Sequence, residues 1–457
     1  FLVLLLHLFQ ITHAQTPGQT PNQHPQLTTH HCTRKHGCTP LTTSIVLDAS
    51  FHSIHALHAP DTPCTTPSGE LNTTLCPDAA TCARNCIIEG ITNYTAYGVE
   101  VQRNHTAVNL RQYLPASSTS TSTSSTSTTN GNASALKTTS PRIYLLAPPP
   151  NTNTHTNTNT TTTQPQYQPL NLLNRELTFT VQNANLPCGM NAALFLSEMP
   201  ISGGYNAHLN RAGAAYGTGY CDAQCYVKPW VNGTANVAGL GACCNEMDIW
   251  EANARATAFT PHSCSVSGLY GCDAEGSGAG ECGAGEGGVC DHSGCGFNPY
   301  ASGNPGFYGL GGGFVVDSAR EITVVTQFLT RDGTDTGDLV EIRRVYLVDG
   351  VRVGSHGLGG NGTWGGGAIT DAFCRAQGAS SFESHGGLAG MGRALARGMV
   401  LVFSIWNDAS GYMQWLDAGA NGPCSATEGD PRVIEREDPG TNVVFSNVRW
   451  GEIGSTF

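Results

Sequence analysis

The six residues Glu246-Met-Asp-Ile-Trp-Glu251 put three carboxylates inside one short apolar run that directly follows Cys243, Cys244 and Asn245. Such a run reads as a buried strand, and carboxylates on a buried strand need either water or a chemical role. Side chains at i and i+2 share a strand face, so Glu246 and Asp248 point the same way. Glu251, at i+5, points away unless the backbone bulges. The strand is therefore expected to border a groove, with a bulge turning Glu251 onto the face of Glu246. Two acids facing each other across a groove, with a third tuning one of them, are the minimal equipment for cleaving a glycosidic bond.

The rest of the chain favours strands and loops over helices: 12% of its 457 residues are charged and 56 are glycine, with few runs of strong helix formers. Strands are expected at Ser44 to Asp48, Pro141 to Ala147, Leu177 to Val181, Ile322 to Phe328, Leu339 to Tyr346, Met399 to Trp406 and Asn442 to Trp450. Many strands separated by Gly-rich loops predict an all-β fold, a large antiparallel sandwich. The Gly- and Cys-rich stretch from Gly271 to Gly296 reads as a stapled loop, because its glycines lack the strand-to-helix setting of a phosphate cradle.

A net charge of -12 argues against nucleic acid or an anionic membrane surface as partner and fits a neutral polysaccharide better. Phe1 to Ala14 is apolar and ends in Thr-His-Ala, which reads as a secretory leader without its starting Met and is too short to span a bilayer. Eighteen cysteines, an even number behind an export signal, imply nine disulfides in an oxidising compartment. Zinc at His30, His31, Cys32, His36 and Cys38 is the weaker reading, since exported thiols oxidise before meeting the metal. Sequons at Asn72, Asn93, Asn104, Asn132, Asn159, Asn232 and Asn361 agree with a glycosylating route.

Two low-complexity tracts, 116–135 and 148–168, cannot bury enough apolar surface to fold. They divide the chain either as linkers or as loop insertions, whose entropic cost grows slowly with length. The apolar run between them is too short to be a domain, so residues 15–457 are expected to form one domain with two insertions.

The stretch Cys243-Cys-Asn-Glu-Met-Asp-Ile-Trp-Glu-Ala-Asn253, followed by Phe259-Thr-Pro-His-Ser-Cys264, resembles the active-site strand of glycoside hydrolase family seven, the secreted cellulases. Leu75 to Cys82, Leu186 to Gly189, Tyr216 to Cys225, Gly296 to Tyr300, Met399 to Phe403 and Gly451 to Thr456 extend the resemblance over nearly the whole chain outside the two tracts. It implies a jelly-roll sandwich, concanavalin A-like, with a cellulose groove on one sheet. The short segment Gly233 to Cys243, the brief Trp415 to Cys424 connection, Asn245, Phe403 to Asp408 and Gly422 to Gly429 resemble the endoglucanase branch. That branch has an open cleft that takes a glycan mid-chain; a tunnel-forming cellobiohydrolase and a non-catalytic lectin on the same sandwich are the alternatives. The resemblance further suggests the pairs Cys32 with Cys38, Cys64 with Cys86, Cys76 with Cys82, Cys188 with Cys424, Cys221 with Cys244, Cys225 with Cys243, Cys264 with Cys290, Cys272 with Cys282, and Cys295 with Cys374.

By the same resemblance Glu246 is the nucleophile of a retaining endo-β-1,4-glucanase, Glu251 the acid and base, and Asp248 a proton-sharing support for Glu246. His262 lines the leaving-group side. Trp406 and Trp415 are stacking platforms for glucose rings, and Arg142, Tyr220, Gln224 and Asn191 hydrogen-bond sugar hydroxyls. No metal, nucleotide or prosthetic group is implied, and a monomer acting on β-glucan is expected. Three departures from the family pattern stand out. Phe51, Ser53 and Ile54 follow Asp48 where an aromatic pair is usual, Phe195 replaces a tyrosine near the nucleophile, and no cellulose-binding module is expected beyond the catalytic domain.

Overall fold

A computed structural model describes residues 15–66, 68–116, 136–149, 164–273, 280–284, 287–353 and 367–457. The leader, most of both low-complexity tracts, and the sequons at Asn132, Asn159 and Asn361 lie outside the described residues. Seventeen strands build the two main sheets among the described residues, fourteen of them being β1 (Thr29–Thr33), β2 (Gly37–Leu41), β3 (Ser44–Leu47), β4 (Ala107–Arg111), β5 (Arg142–Leu146), β6 (Arg175–Gln182), β7 (Met190–Ser197), β8 (Glu246–Ala252), β9 (Thr257–His262), β10 (Ile322–Thr330), β11 (Leu339–Val348), β12 (Val351–Val353), β13 (Met399–Asn407) and β14 (Asn442–Glu452).

One sheet runs β9-β8-β7-β13-β5-β3, with Pro169–Leu170 added against β13. The other runs β12-β11-β10-β6-β14-β1-β2, with β4 beside β14, Val99–Val101 beside β4 and Ala368–Ile369 beside β11. Neighbours are antiparallel except β1 and β14. The two sheets close over a core in which Leu194, Met247, Trp250, Phe403 and Ile405 from one meet Phe179, Val324, Ile342 and Phe445 from the other. This is the antiparallel sandwich that the period-2 patterns predict.

β5 lies between the two low-complexity tracts in sequence, yet it pairs with β3 on one side and β13 on the other. Chain on both sides of the tracts therefore shares one sheet. β7 escapes notice in the sequence because Met190-Asn-Ala-Ala-Leu-Phe-Leu-Ser197 does not alternate apolar with polar. Its two faces enter different apolar clusters, Met190, Ala192, Leu194 and Leu196 in the main core, Ala193 and Phe195 in a second one over the sheet. A strand buried on both faces loses the polar half of its pattern.

All nine suggested disulfides are present. Cys32 and Cys38 are joined, so neither offers a thiolate to zinc. Cys221–Cys244 and Cys225–Cys243 tie the entry of β8 to the loop carrying Tyr220, Asp222 and Gln224. No helix of the described residues is long and apolar enough to cross a membrane.

Candidate active site

The bulge that the carboxylate spacing demands lies within β8. Against β7, Phe195 pairs with Asp248 but Leu194 pairs with Trp250, so Ile249 has no partner in the register. Against β9 the same slip falls between Asp248 and Glu251. One extra residue reverses the side-chain alternation beyond it. Ile249 and Trp250 consequently both enter the core, and Glu251 joins Glu246 and Asp248 along one groove of about 880 Å³. Trp250 anchors the kink, edge-on to Phe179, Tyr308 and Tyr346 at 6.0–6.4 Å between ring centres.

Each acid has its own protein partner. Glu246 accepts from the Ala223 backbone N–H at 3.1 Å, in the loop held by the two disulfides. Glu251 accepts from Asn191 Nδ2 at 2.9 Å, while Asn191 Oδ1 accepts from the Ala252 N–H. Asp248 lies 3.0 Å from His262 Nε2 on β9. His262 Nδ1 lies 3.0 Å from the Asp291 carbonyl, to which it must donate, and this bond orients the ring that brings Nε2 to Asp248. Asp248 thus has His262 on one side, and on the other it acts electrostatically on Glu246, the residue with which the sequence suggests it shares a proton.

Burial is the main force on these groups. Glu246, Asp248 and Glu251 are 5%, 7% and 9% exposed. Burial, then Asp248 and Asp222, push the Glu246 carboxyl well above the usual range. Burial and then Asp222 push Asp248 up to about 8, and burial and then Asp248 push Glu251 up to about 8. Neighbouring carboxylates in a poorly solvated groove cannot all ionise, so the cluster retains protons at neutral pH.

The walls carry the remaining expected residues. The Arg142 guanidinium stacks 3.6 Å from the centre of the Tyr220 ring and reaches Asp48 at 3.1 Å. Burial opposes ionisation of Asp48, but Arg142 together with Ser50 and Tyr144 holds its carboxyl below the usual value. Trp406 and Trp415 stack at 6.4 Å and 28°, with Trp415 45% exposed. Gln224, Phe195 and Phe51 also line the groove. Asn191 does not: it is fully buried, behind Glu251, which suits holding the acid rather than touching a sugar.

Sequence reasoning passed over Asp222, a fourth carboxylate on the groove wall whose pKa is raised by burial against the pull of Arg142 and Lys228. Its signal was its position between Tyr220 and Gln224, both already singled out. Gly294 was missed too: at φ +70°, a Cβ there would lie 2.7 Å from His262 Cε1 and 2.2 Å from Thr260 Cγ2. Only glycine lets that loop lie against the histidine.

Residues 17–457 match the family described as glycosyl hydrolase family 7. The chain is 51% identical to the endo-beta-1,4-glucanase celB of Emericella nidulans, over all of this chain and 99% of that one. Among solved structures, the native Humicola insolens endocellulase EGI superimposes with a TM-score of 0.81 at 41% identity, covering 97% of this chain and all of that one. A family 7 cellobiohydrolase from Daphnia pulex gives 0.80 at 32% identity, with 97% and 100% covered. The chain belongs to glycosyl hydrolase family 7.

Proposed function

We propose that this chain is a retaining endo-β-1,4-glucanase, cleaving internal bonds of cellulose and related β-glucans by double displacement. The observation that carries this reading is the register slip at Ile249, which brings Glu246, Asp248 and Glu251 to one groove. The higher identity to endoglucanases than to the cellobiohydrolase supports internal cutting over processive release of cellobiose. The buried acids argue against a lectin, which has no use for three carboxylates whose ionisation costs it stability.

In the first step a Glu246 carboxylate oxygen attacks the anomeric carbon, and the bond to the leaving glucosyl oxygen breaks as Glu251 transfers its proton to that oxygen. In the second, Glu251, now a carboxylate, takes a proton from water. The resulting hydroxide character displaces Glu246 and returns both residues to their starting states. The two roles need one carboxyl ionised and the other protonated, and the crowded cluster supplies this division. His262 and the Ala223 N–H favour charge on Glu246 against the burial and neighbouring carboxylates that raise it, and Glu251, raised to about 8, enters the cycle as an acid. His262 lies 3.0 Å from Asp248, and Asp248 is among the groups that raise Glu246, so this pair sets the charge beside Glu246 as the glycosyl-enzyme forms and breaks. Trp406 and Trp415 offer flat apolar faces to glucose rings.

Nine disulfides favour a secreted enzyme. A single catalytic domain with loop insertions at 116–135 and 148–168 fits the pairing of β5 with strands from both sides of the tracts. Carboxymethyl cellulose tests the reading. Viscosity should fall steeply for few reducing ends released, and Glu246→Gln should abolish both signals while the protein stays folded. Slow viscosity loss with almost pure cellobiose would instead indicate the cellobiohydrolase, and unchanged turnover of Glu246→Gln would remove the nucleophile assignment.

A further inference from the structure

Arg344 on β11 is a fully buried guanidinium, far from any expected place for a charge. No carboxylate among the described residues forms an ion pair with it. Its centre lies 4.3 Å from the Phe259 ring centre and 5.7 Å from that of Tyr346, and its Nε and Nη1 have no partner of hydrogen-bond geometry. Its Nη2 donates to one backbone oxygen, the carbonyl of Ile249. That is the residue left without a partner in the register of β8.

A charge in a sandwich core with no carboxylate beside it, only the Tyr346 hydroxyl and a backbone carbonyl, is costly, and an apolar residue of similar size would fill the space at lower cost. The geometry points to Arg344 as a positioning residue that fixes the bulge and thereby aims Glu251 into the groove. A bulge frees backbone groups that a regular ladder would satisfy. Here the freed carbonyl faces the core, where water cannot serve it, and a charged donor rooted in the opposite sheet holds it. Arg344 stands on β11, itself locked by a continuous ladder to β10. Phe259, beneath the guanidinium, belongs to β9, the other neighbour of the bulge. The contact thus links both strands around the kink to the back sheet. Without it, the segment from Ile249 to Glu251 can relax toward regular alternation, which carries Glu251 away from Glu246. Glu246 precedes the kink and is held separately through Ala223.

This inference rests on the acid and base role proposed for Glu251, and its test separates the two. Aryl β-cellobiosides differ in how much they need an acid: a 2,4-dinitrophenolate departs unaided, whereas a poor leaving group such as 4-methoxyphenolate requires the proton. Arg344→Met, and Arg344→Gln in case the first does not fold, are compared with wild type and Glu251→Gln by kcat/KM on both substrates. Arg344→Lys, which keeps a charged donor, serves as the conservative rescue. Glu251→Gln is expected to lose about a hundredfold or more on the poor leaving group and little on the good one, as removal of a general acid does. The Arg344→Met or Arg344→Gln variant is expected to show the same selectivity, with at least about tenfold more loss on the poor leaving group, and Arg344→Lys to recover part of it. Equal losses on both substrates, or no loss, in a folded Arg344 variant would overturn the inference while leaving Glu251 in place. If Glu251→Gln itself shows no selectivity, the acid role falls first.

Discussion

Replacing Glu251 by Gln should make the protein more stable, increasingly so as pH rises. The Glu251 carboxyl is pushed from the ordinary 4.5 to about 8, mainly by burial and then by Asp248. Below 4.5 folded and unfolded chains both hold the proton, and the group costs nothing. Between 4.5 and about 8 the unfolded chain ionises while the folded chain keeps its proton, so stability falls with rising pH across this window and levels off above it. At about 1.36 kcal/mol per pH unit the full span is worth about 5 kcal/mol. Because Asp248 competes for protons in the same groove, a realised gain of about 2 to 4 kcal/mol is expected. Urea unfolding of both proteins with disulfides intact, followed by tryptophan fluorescence from about pH 4 to about pH 8.5, gives the difference at each pH, and contributions from other groups largely cancel. The stability advantage of Glu251→Gln should start near its minimum at the acid end and climb to a plateau near pH 8. A pH-independent difference, or one that shrinks with rising pH, would refute the claim that this carboxyl is held protonated by burial.

Three further outcomes follow from the same geometry. Asn191→Ala removes the donor that favours ionised Glu251, so the alkaline limb of the kcat/KM profile, where activity is lost as the acid deprotonates, should move upward from near pH 8; a limb that stays or moves down contradicts this. Trp415→Ala takes away an exposed ring stacked on Trp406 and should raise KM for cellopentaose about tenfold with kcat changed by less than about threefold. Gly294→Ala forces a Cβ against His262 and Thr260 at positive φ, and calorimetry should show a loss of about 1 to 3 kcal/mol together with reduced kcat.

Much of the site was legible because it breaks a local rule. Three acids in an apolar hexapeptide make sense only if the strand bulges, and the bulge is where the spacing required it. Strands with one face toward the core, such as Leu339–Val348 and Asn442–Glu452, announce themselves by alternation and lie within a few residues of expectation. What stayed hidden depends on contacts remote in sequence. Met190–Ser197 is apolar on both faces because two clusters claim it. Asn191 turns away from the groove toward Glu251, and no local pattern records which way a buried amide faces. Asp248 finds His262 through the pairing of two strands whose register is itself set by the bulge. Arg344 lies ninety-five residues from the carbonyl it holds, beyond the reach of any periodicity.

The most direct test of two acids facing each other across the groove is the configuration of the first product. Proton NMR of cellopentaose hydrolysis, recorded before mutarotation equalises the anomers, should show the new reducing ends appearing as the β-anomer and only later drifting toward the equilibrium mixture. Retention requires carboxyl groups about 5–5.5 Å apart, as the kink at Ile249 is proposed to arrange them, whereas initial release of the α-anomer would mean a wider pair with water between them and would contradict the double displacement assigned to Glu246 and Glu251.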